Sequence, residues 1–449
     1  MENRNLSKHA RAKIITFQFR RSGSIQSADA SRYFKFFNKV LVARVATVVM
    51  FLSSPTSASE AELSELEQRG EYLAAAGNCM SCHTNEDDSP FAGGLAFETP
   101  FGTVYSPNIT PDPDTGIGQW SLEDLTNAMR HGETPDGTNL YPVFPYASFA
   151  KVSDEDIAAI YAYLKTIAPV TSTPPENKLG FPYSQRWTLG FWKWMYHDES
   201  PFEPQPAKSE EWNRGAYLVE GLGHCSMCHT PRGWLGATDT SLAMTGGTYM
   251  TRVEGKLSAW SAPNLTAADS GLALWTVDDV TDYLKLGVSH RAGVFGPMNE
   301  VVVNSTRHLS REDVRAIAVY LKSLPANSQD SGEPAGADML RAGSLQYDIH
   351  CGSCHLPTGE GSPEQGPPLI GSPVVLDADP ASLINITLYG AQTPHVSPSD
   401  EWAARAWIRM EPYDNKLGDE QVAALLSFIR AAWGHEAGAV TPEQVAEQR

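Results

Sequence analysis

The stretch Arg69-Gly-Glu-Tyr-Leu-Ala-Ala-Ala-Gly-Asn-Cys79-Met-Ser-Cys82-His83 decides how the rest of the chain is read. A short helix-forming run delivers the chain into Cys-x-x-Cys-His, and two more copies follow. One is Arg214-Gly-Ala-Tyr-Leu-Val-Glu-Gly-Leu-Gly-His-Cys225-Ser-Met-Cys228-His229; the other is Ala342-Gly-Ser-Leu-Gln-Tyr-Asp-Ile-His-Cys351-Gly-Ser-Cys354-His355. On a helical turn, positions i, i+3 and i+4 share one face, so two thiols and an imidazole can grip one planar ligand. This is the attachment signature of c-type haem, in which the thiols add to the haem vinyl groups and the histidine ligates the iron. With 6 Cys and 12 His in 449 residues, chance supplies on the order of 0.002 such motifs. Three copies that use every cysteine therefore carry meaning. A zinc site would pair the Cys-x-x-Cys units in twos, for which three is an awkward number. The reading is three covalently bound haems c on Cys79, Cys82, Cys225, Cys228, Cys351 and Cys354, with His83, His229 and His355 on the irons.

The repeats extend beyond the motif. Ser106-Pro-Asn-Ile-Thr110 answers to Ala262-Pro-Asn-Leu-Thr266, and Trp120-Ser-Leu-Glu-Asp-Leu to Trp275-Thr-Val-Asp-Asp-Val. Each repeat closes with apolar residues at the helical period, over 157–165, 314–322 and 422–430. Ser153 with Asp156 and Ser310 with Asp313 read as capping boxes. The fold expected is mainly α, with three consecutive cytochrome c-like helical domains at 59–170, 213–324 and 341–434. Between them lie an aromatic-rich linker at 171–212 and a Pro/Ser/Gly/Asp-rich linker at 325–340 that reads as flexible. Residues 435–449 form a polar tail.

Residues 1–58 read as a leader. They hold ten Lys/Arg against two acids and end in a short apolar run, Val45 to Leu52, before Ser-Ser-Pro-Thr-Ser-Ala58. A run of about eight residues is too short to span a bilayer, which takes roughly 20. The protein is thus expected to be exported to the periplasm. Overall the formal charge is −19; without the leader, 24 bases and 51 acids leave −27. That balance speaks against a nucleic-acid partner.

An electron-carrying haem commonly takes a methionine sulfur as its second axial ligand. Gly296-Pro-Met298 in repeat 2 and Arg409-Met410-Glu-Pro in repeat 3 lie ahead of their closing helices, where that ligand is needed. Repeat 1 offers Tyr141-Pro-Val-Phe144-Pro-Tyr146 instead. Three outcomes stay open: a five-coordinate iron facing Phe144, ligation by His131, or ligation by Met129. Arg232, directly after the second motif, is a candidate partner for a haem propionate. The other histidines carry no motif and read as ordinary surface or core residues.

At this point the sequence resembles the tri-haem cytochrome c subunits of bacterial membrane-bound dehydrogenases for alcohols, aldehydes, gluconate, sorbitol and fructose. The resemblance rests on Phe101-Gly-Thr-Val-Tyr-Ser-Pro-Asn-Ile-Thr-Pro-Asp-Pro113, on Trp212 through Arg232, on Gly296-Pro-Met298 and on Ala432-Trp-Gly434. In that family the first loop reads Tyr-Pro-x-Met-Pro-Tyr, so Phe144 is a departure. The resemblance implies an electron-transfer subunit held to the outer face of the cytoplasmic membrane. It would accept electrons from a catalytic subunit carrying PQQ, flavin or molybdopterin and deliver them to ubiquinone or a terminal oxidase. The aromatic linker is the candidate for membrane contact, or else a cover for the seam between the first two repeats.

No Gly-x-Gly-x-x-Gly fingerprint follows a strand and no nucleophile–base constellation stands out. Two other readings remain: a haem enzyme acting at an open first haem on a small molecule such as peroxide, and a cytochrome subunit of a terminal oxidase.

Overall fold

A computed structural model describes residues 63–85, 89–253, 256–391 and 407–449. The expected leader lies outside the described residues, as does His395. Repeat 1 runs α1 (Glu65–Ala76), α2 (Cys79–His83), β1 (Ala96–Thr99), β2 (Gly102–Tyr105), α3 (Leu122–His131), α4 (Tyr146–Phe149) and α5 (Asp154–Leu164). The linker adds β3 (Lys178–Leu179) and α6 (Thr188–Tyr196). Repeat 2 follows with α7 (Glu210–Tyr217), α8 (Ser226–His229), β4 (Gly247–Val253), β5 (Lys256–Ala262), α9 (Val277–Leu286), α10 (Met298–Asn304) and α11 (Arg311–Lys322). Repeat 3 holds α12 (Ala337–His350), α13 (Gly352–His355), α14 (Ala381–Tyr389), α15 (Asp419–Ala431) and α16 (Pro442–Gln448). Strands are few, as expected: β1, β2 and β3 form an antiparallel sheet and β4 pairs with β5.

One crossing recurs three times. The opening helix of each repeat packs on its closing helix, α1 on α5, α7 on α11 and α12 on α15. The helices meet at Gly70, Gly215 and Gly343. A Cβ at any of them would fall 1.9 Å from a backbone oxygen of the facing helix, that of Ala159, Ala316 or Ala424. The glycine in Arg-Gly-x-Tyr is there because two backbones touch.

The closing helices begin about three residues before their apolar stripes, at Ser153, Ser310 and Gly418. Ser153 and Ser310 accept hydrogen bonds from the Asp156 and Asp313 amides, at 3.2 and 3.1 Å. The reciprocal half of each expected capping box gives way to a different contact. Asp156 takes Arg69 Nε at 2.9 Å and the hydroxyl of Tyr217 at 2.7 Å. Asp313 takes Arg214 Nε at 2.8 Å and the hydroxyl of Tyr72 at 2.6 Å. Each repeat thus lends a tyrosine to the ion pair of the other. The exchange is a two-fold-like clasp, and a charged hydrogen bond of this kind is worth about 1.5–3 kcal/mol. Repeats 1 and 2 also share one apolar core, running through Leu73, Ile160, Leu218 and Ile317.

Repeat 3 has its own core, around Tyr347, Leu388, Leu425 and Ile429. Ala342, Leu345 and Gln421 stand where repeats 1 and 2 have arginine, tyrosine and aspartate, so no clasp forms there. It docks instead on the hairpin of repeat 2: the Ser261 amide donates to Ser382 Oγ at 2.9 Å and Ser382 Oγ donates back to Ser261 O at 2.8 Å. The segment read as a flexible linker is pinned on the way, by Asn264 Nδ2 on Asn327 O at 2.8 Å and by Ser331 Oγ accepting from the Gly438 amide at 3.1 Å. The tail folds too, with Val440 and Val445 buried.

The aromatic linker has two faces. Inward, Trp192 Nε1 donates to Leu235 O of repeat 2 at 3.0 Å, and Lys193 Nζ reaches Glu133 and Asn139 of repeat 1, each at 2.7 Å. Outward, Trp187, Phe191 and Trp194, at i, i+4 and i+7 along α6, are 75, 63 and 78 % exposed. Among the described residues, no helix is long and apolar enough to cross a membrane.

Candidate functional site

All three Cys-x-x-Cys-His motifs form a single helical turn, and their six cysteines are unpaired. In the first two, the preceding residue takes the left-handed conformation, Asn78 at φ 51° and His224 at φ 36°, which turns the chain out of the opening helix and into the motif. Burial pushes the thiols of Cys79, Cys82, Cys225 and Cys351 up to about 12, so they stay protonated.

The histidines share a geometry that the sequence did not disclose. Nδ1 of His83 lies 2.7 Å from Pro107 O, that of His229 2.7 Å from Pro263 O, and that of His355 2.8 Å from Pro367 O. A carbonyl only accepts, so each Nδ1 carries the proton and each Nε2 keeps its lone pair. This is the arrangement that orients an imidazole for metal ligation. Burial holds all three imidazoles below the ordinary histidine range and hence neutral. The repeated Pro-Asn pair explains itself here. Proline presents its carbonyl to the histidine, while Asn108 and Asn264 tie the following chain to Val170 O and Asn327 O, at 2.7 and 2.8 Å. The repeat was visible in the sequence; its reason needed the fold.

The first two motifs open into one continuous cavity of about 1740 Å³. A cleft for a single ligand usually has about 300–1,000 Å³, so this one has room for two large groups. Three buried polar atoms in its wall have no protein partner: Trp260 Nε1, Trp275 Nε1 and Asp377 Oδ2. Orphaned buried polar atoms in a cavity wall mark places where a ligand supplies the missing bond. The two indole N–H groups suit the carboxylates of a porphyrin. Burial pushes Asp377 up to about 8, so at neutral pH it is largely a protonated donor.

That shift has a measurable consequence. The folded state holds a proton that the unfolded chain releases near the ordinary aspartate value of 3.8. This contribution to stability is therefore full below that value and is lost as pH rises through about 8. Asp377→Asn is expected to flatten the fall in Tm between pH 5 and pH 8; a slope equal to that of the parent would refute the protonated carboxyl.

Of the predicted axial residues, Met298 lines the cavity at the start of α10, and Phe144 lines it in repeat 1. Met129 lies in the apolar core beside Leu125, 5 % exposed, and His131 Nδ1 sits 3.1 Å from Glu199 Oε2; neither lines the cavity. Met410 is half-buried in the loop after α14, and three residues on, Tyr413 donates its hydroxyl to His350 O at 2.9 Å. That bond holds the Met410 loop against the third motif. Arg232 lines the cavity mouth, exposed, with its guanidinium on Gly236 O at 2.7 Å and Met227 O at 3.2 Å. Met195 of α6 also lines the cavity and was not singled out from sequence, because it lies beyond the closing helix of repeat 1.

A cytochrome c family model matches residues 67–168 and 340–433. The chain is 39% identical over 402 residues to the cytochrome c subunit of a quinone-type alcohol dehydrogenase of Gluconacetobacter polyoxogenes, covering 86% of this chain and 84% of the relative. It is 39% identical over 421 residues to the gluconate 2-dehydrogenase cytochrome c subunit of Pantoea cypripedii, covering 90% and 94%. With the fructose dehydrogenase cytochrome subunit of Gluconobacter japonicus it shares 35% over 424 residues, covering 88% and 84%. Single helical turns with aligned cysteines, and histidines primed at Nε2, are what such proteins need to carry covalent haem c, and this chain belongs to the family of dehydrogenase cytochrome c subunits.

Proposed function

We propose that the chain is a tri-haem electron-transfer subunit, with one haem c in each of three cytochrome c-like domains. It takes electrons from a dehydrogenase catalytic subunit bearing PQQ, flavin or molybdopterin and delivers them to ubiquinone or a terminal oxidase on the periplasmic side of the membrane. The observation that carries this reading is the single cavity facing two Cys-x-x-Cys-His motifs, in a chain related along most of its length to dehydrogenase cytochrome subunits.

Haem c supplies a one-electron couple; the chain supplies position and surroundings. Cys79 and Cys82, Cys225 and Cys228, and Cys351 and Cys354 would hold the three groups, and His83, His229 and His355 would offer Nε2 to the irons. Met298 and Met410 would supply the soft second ligands that raise a potential. Trp260 and Trp275 would offer their unpartnered indole N–H groups to haem carboxylates, and Arg232 would add a positive charge beside them. The clasp of Tyr72 and Tyr217 keeps repeats 1 and 2 at a set spacing. The outward stripe of Trp187, Phe191 and Trp194 suits the interfacial layer of a bilayer, where indole rings concentrate. The leader and the acidic surface accord with export.

Deleting the chain from its host should leave dye-coupled oxidation of the partner's substrate intact while substrate-driven quinone reduction in membranes stops. Restoring the chain should restore it. A version with serine at Trp187, Phe191 and Trp194 should move to the soluble fraction with its haems intact. If dye-coupled activity vanished with the chain and returned on adding the purified chain alone, the catalytic site would lie here and the reading would fail.

A further inference from the structure

Repeat 2 provides a ruler for repeat 1. Helices α3 and α9 end alike, on left-handed Gly132 and Gly287. The chain then returns the same way in both: the Leu140 amide donates to Gly132 O at 2.8 Å, and the Val294 amide to Gly287 O at 2.9 Å. Four residues beyond each of these amides stand Phe144 and Met298, and both line the shared cavity. The two side chains thus hold equivalent places, one with a thioether and one with a benzene ring that has no lone pair to give.

The ring is held there. Phe144 packs edge-on against Phe149 at 5.3 Å between centroids, and Phe149 packs against His224 at 5.7 Å. The donors that the sequence allowed as substitutes are engaged elsewhere, Met129 in the core and His131 with Glu199. His224 lies on the cavity wall, half-buried, with Nε2 3.4 Å from Gly77 O.

We propose that the iron held by Cys79, Cys82 and His83 has no protein ligand at its sixth position, and that this position is a binding site for a small uncharged diatomic molecule of the CO or NO class. The wall that carries Phe144 decides the ligand class. Pro142, Val143, Pro145 and Phe149 are apolar, and the Tyr141 hydroxyl is spent on Tyr183 O at 3.0 Å. Peroxide cleavage needs a polar distal pocket with a proton donor, and this stretch offers none. A neutral diatomic needs only a free coordination site and space beside a ring. Binding forms one bond, by donation of the ligand's lone pair, and calls for no oxidant or proton.

The inference rests on the three-haem reading, and haem content per chain, measured first by alkaline pyridine spectra, tests that reading separately. The holoprotein, reduced with dithionite, is then exposed to CO. The expected result is a CO-shifted Soret band from one haem in three, and a high-spin ferric signal of the same share in the oxidised protein. Absence of any CO shift in a fully loaded protein overturns the proposal. Phe144→Met is expected to cut the CO-bound fraction at least tenfold while haem content stays constant; an undiminished shift would place the open iron elsewhere. Met195→Leu should leave CO binding unchanged, and an increase would show that this methionine already occupies the site. Should Phe144→Met fail to fold, the CO and high-spin measurements on the parent protein still decide.

Discussion

Met298→Leu should turn the second haem into a copy of the first. Leucine keeps the bulk of methionine and removes its sulfur, so the cavity wall at the start of α10 keeps its packing while the soft donor is lost. Thioether ligation favours Fe(II) and raises the potential, so that haem's potential should fall steeply and its low-spin ferric signal should become high-spin. The CO-bound share of the reduced protein should rise from one haem in three to two. Redox titration with optical and paramagnetic readout checks all of these. An unchanged titration would remove Met298 from the iron, and with it the equivalence between Phe144 and Met298. Met410→Leu is the control in repeat 3: its effect should add to that of Met298→Leu, because the third repeat has its own core.

The second large effect is on folding. Alanine at Gly215 would place its Cβ 1.9 Å from Ala316 O and 3.0 Å from Tyr320 Cβ. Neither α7 nor α11 can yield, since the obstruction is backbone against backbone, so the helices must separate. The cost is expected on the order of 4 kcal/mol or more, the range reached only by severe core disruptions. Its reach should differ between repeats. Gly215→Ala loosens the core that repeats 1 and 2 share and pulls at the clasp of Tyr72 and Tyr217, so both repeats should fail together. Gly343→Ala disturbs a separate core and should release repeat 3 alone. Haem retention after limited proteolysis separates the two cases. A fragment spanning repeats 1 and 2 that survives in Gly343→Ala, but not in Gly215→Ala, is the expected pattern. A Tm within a degree of the parent for either variant would show that the crossing is looser than described.

What was legible beforehand was local. The spacing of two cysteines and a histidine is settled within five residues, and so is the face that they share. The closing helices announced themselves through their apolar period. The capping boxes at Ser153 and Ser310 were half right, because the sequence showed which aspartates lie near the helix start but not that Arg69, Tyr217, Arg214 and Tyr72 would claim them. The linker at 325–340 looked loose from composition, yet Asn264 and Gly438 pin it from distant positions. For the aromatic linker the seam reading holds on one face of α6, and its other face lies exposed.

The sequence alone determined the haem motifs, their number, the helical class and the missing methionine of repeat 1, all of them matters of residue type and short spacing. Only the tertiary structure decided that Phe144 and Met298 face one cavity, which carbonyl primes each histidine, and that the first two repeats share a core while the third keeps its own. Those features rest on contacts such as Tyr72 with Asp313, 241 residues apart. Chain order says little about which of many distant partners a side chain meets; close packing of the folded chain does.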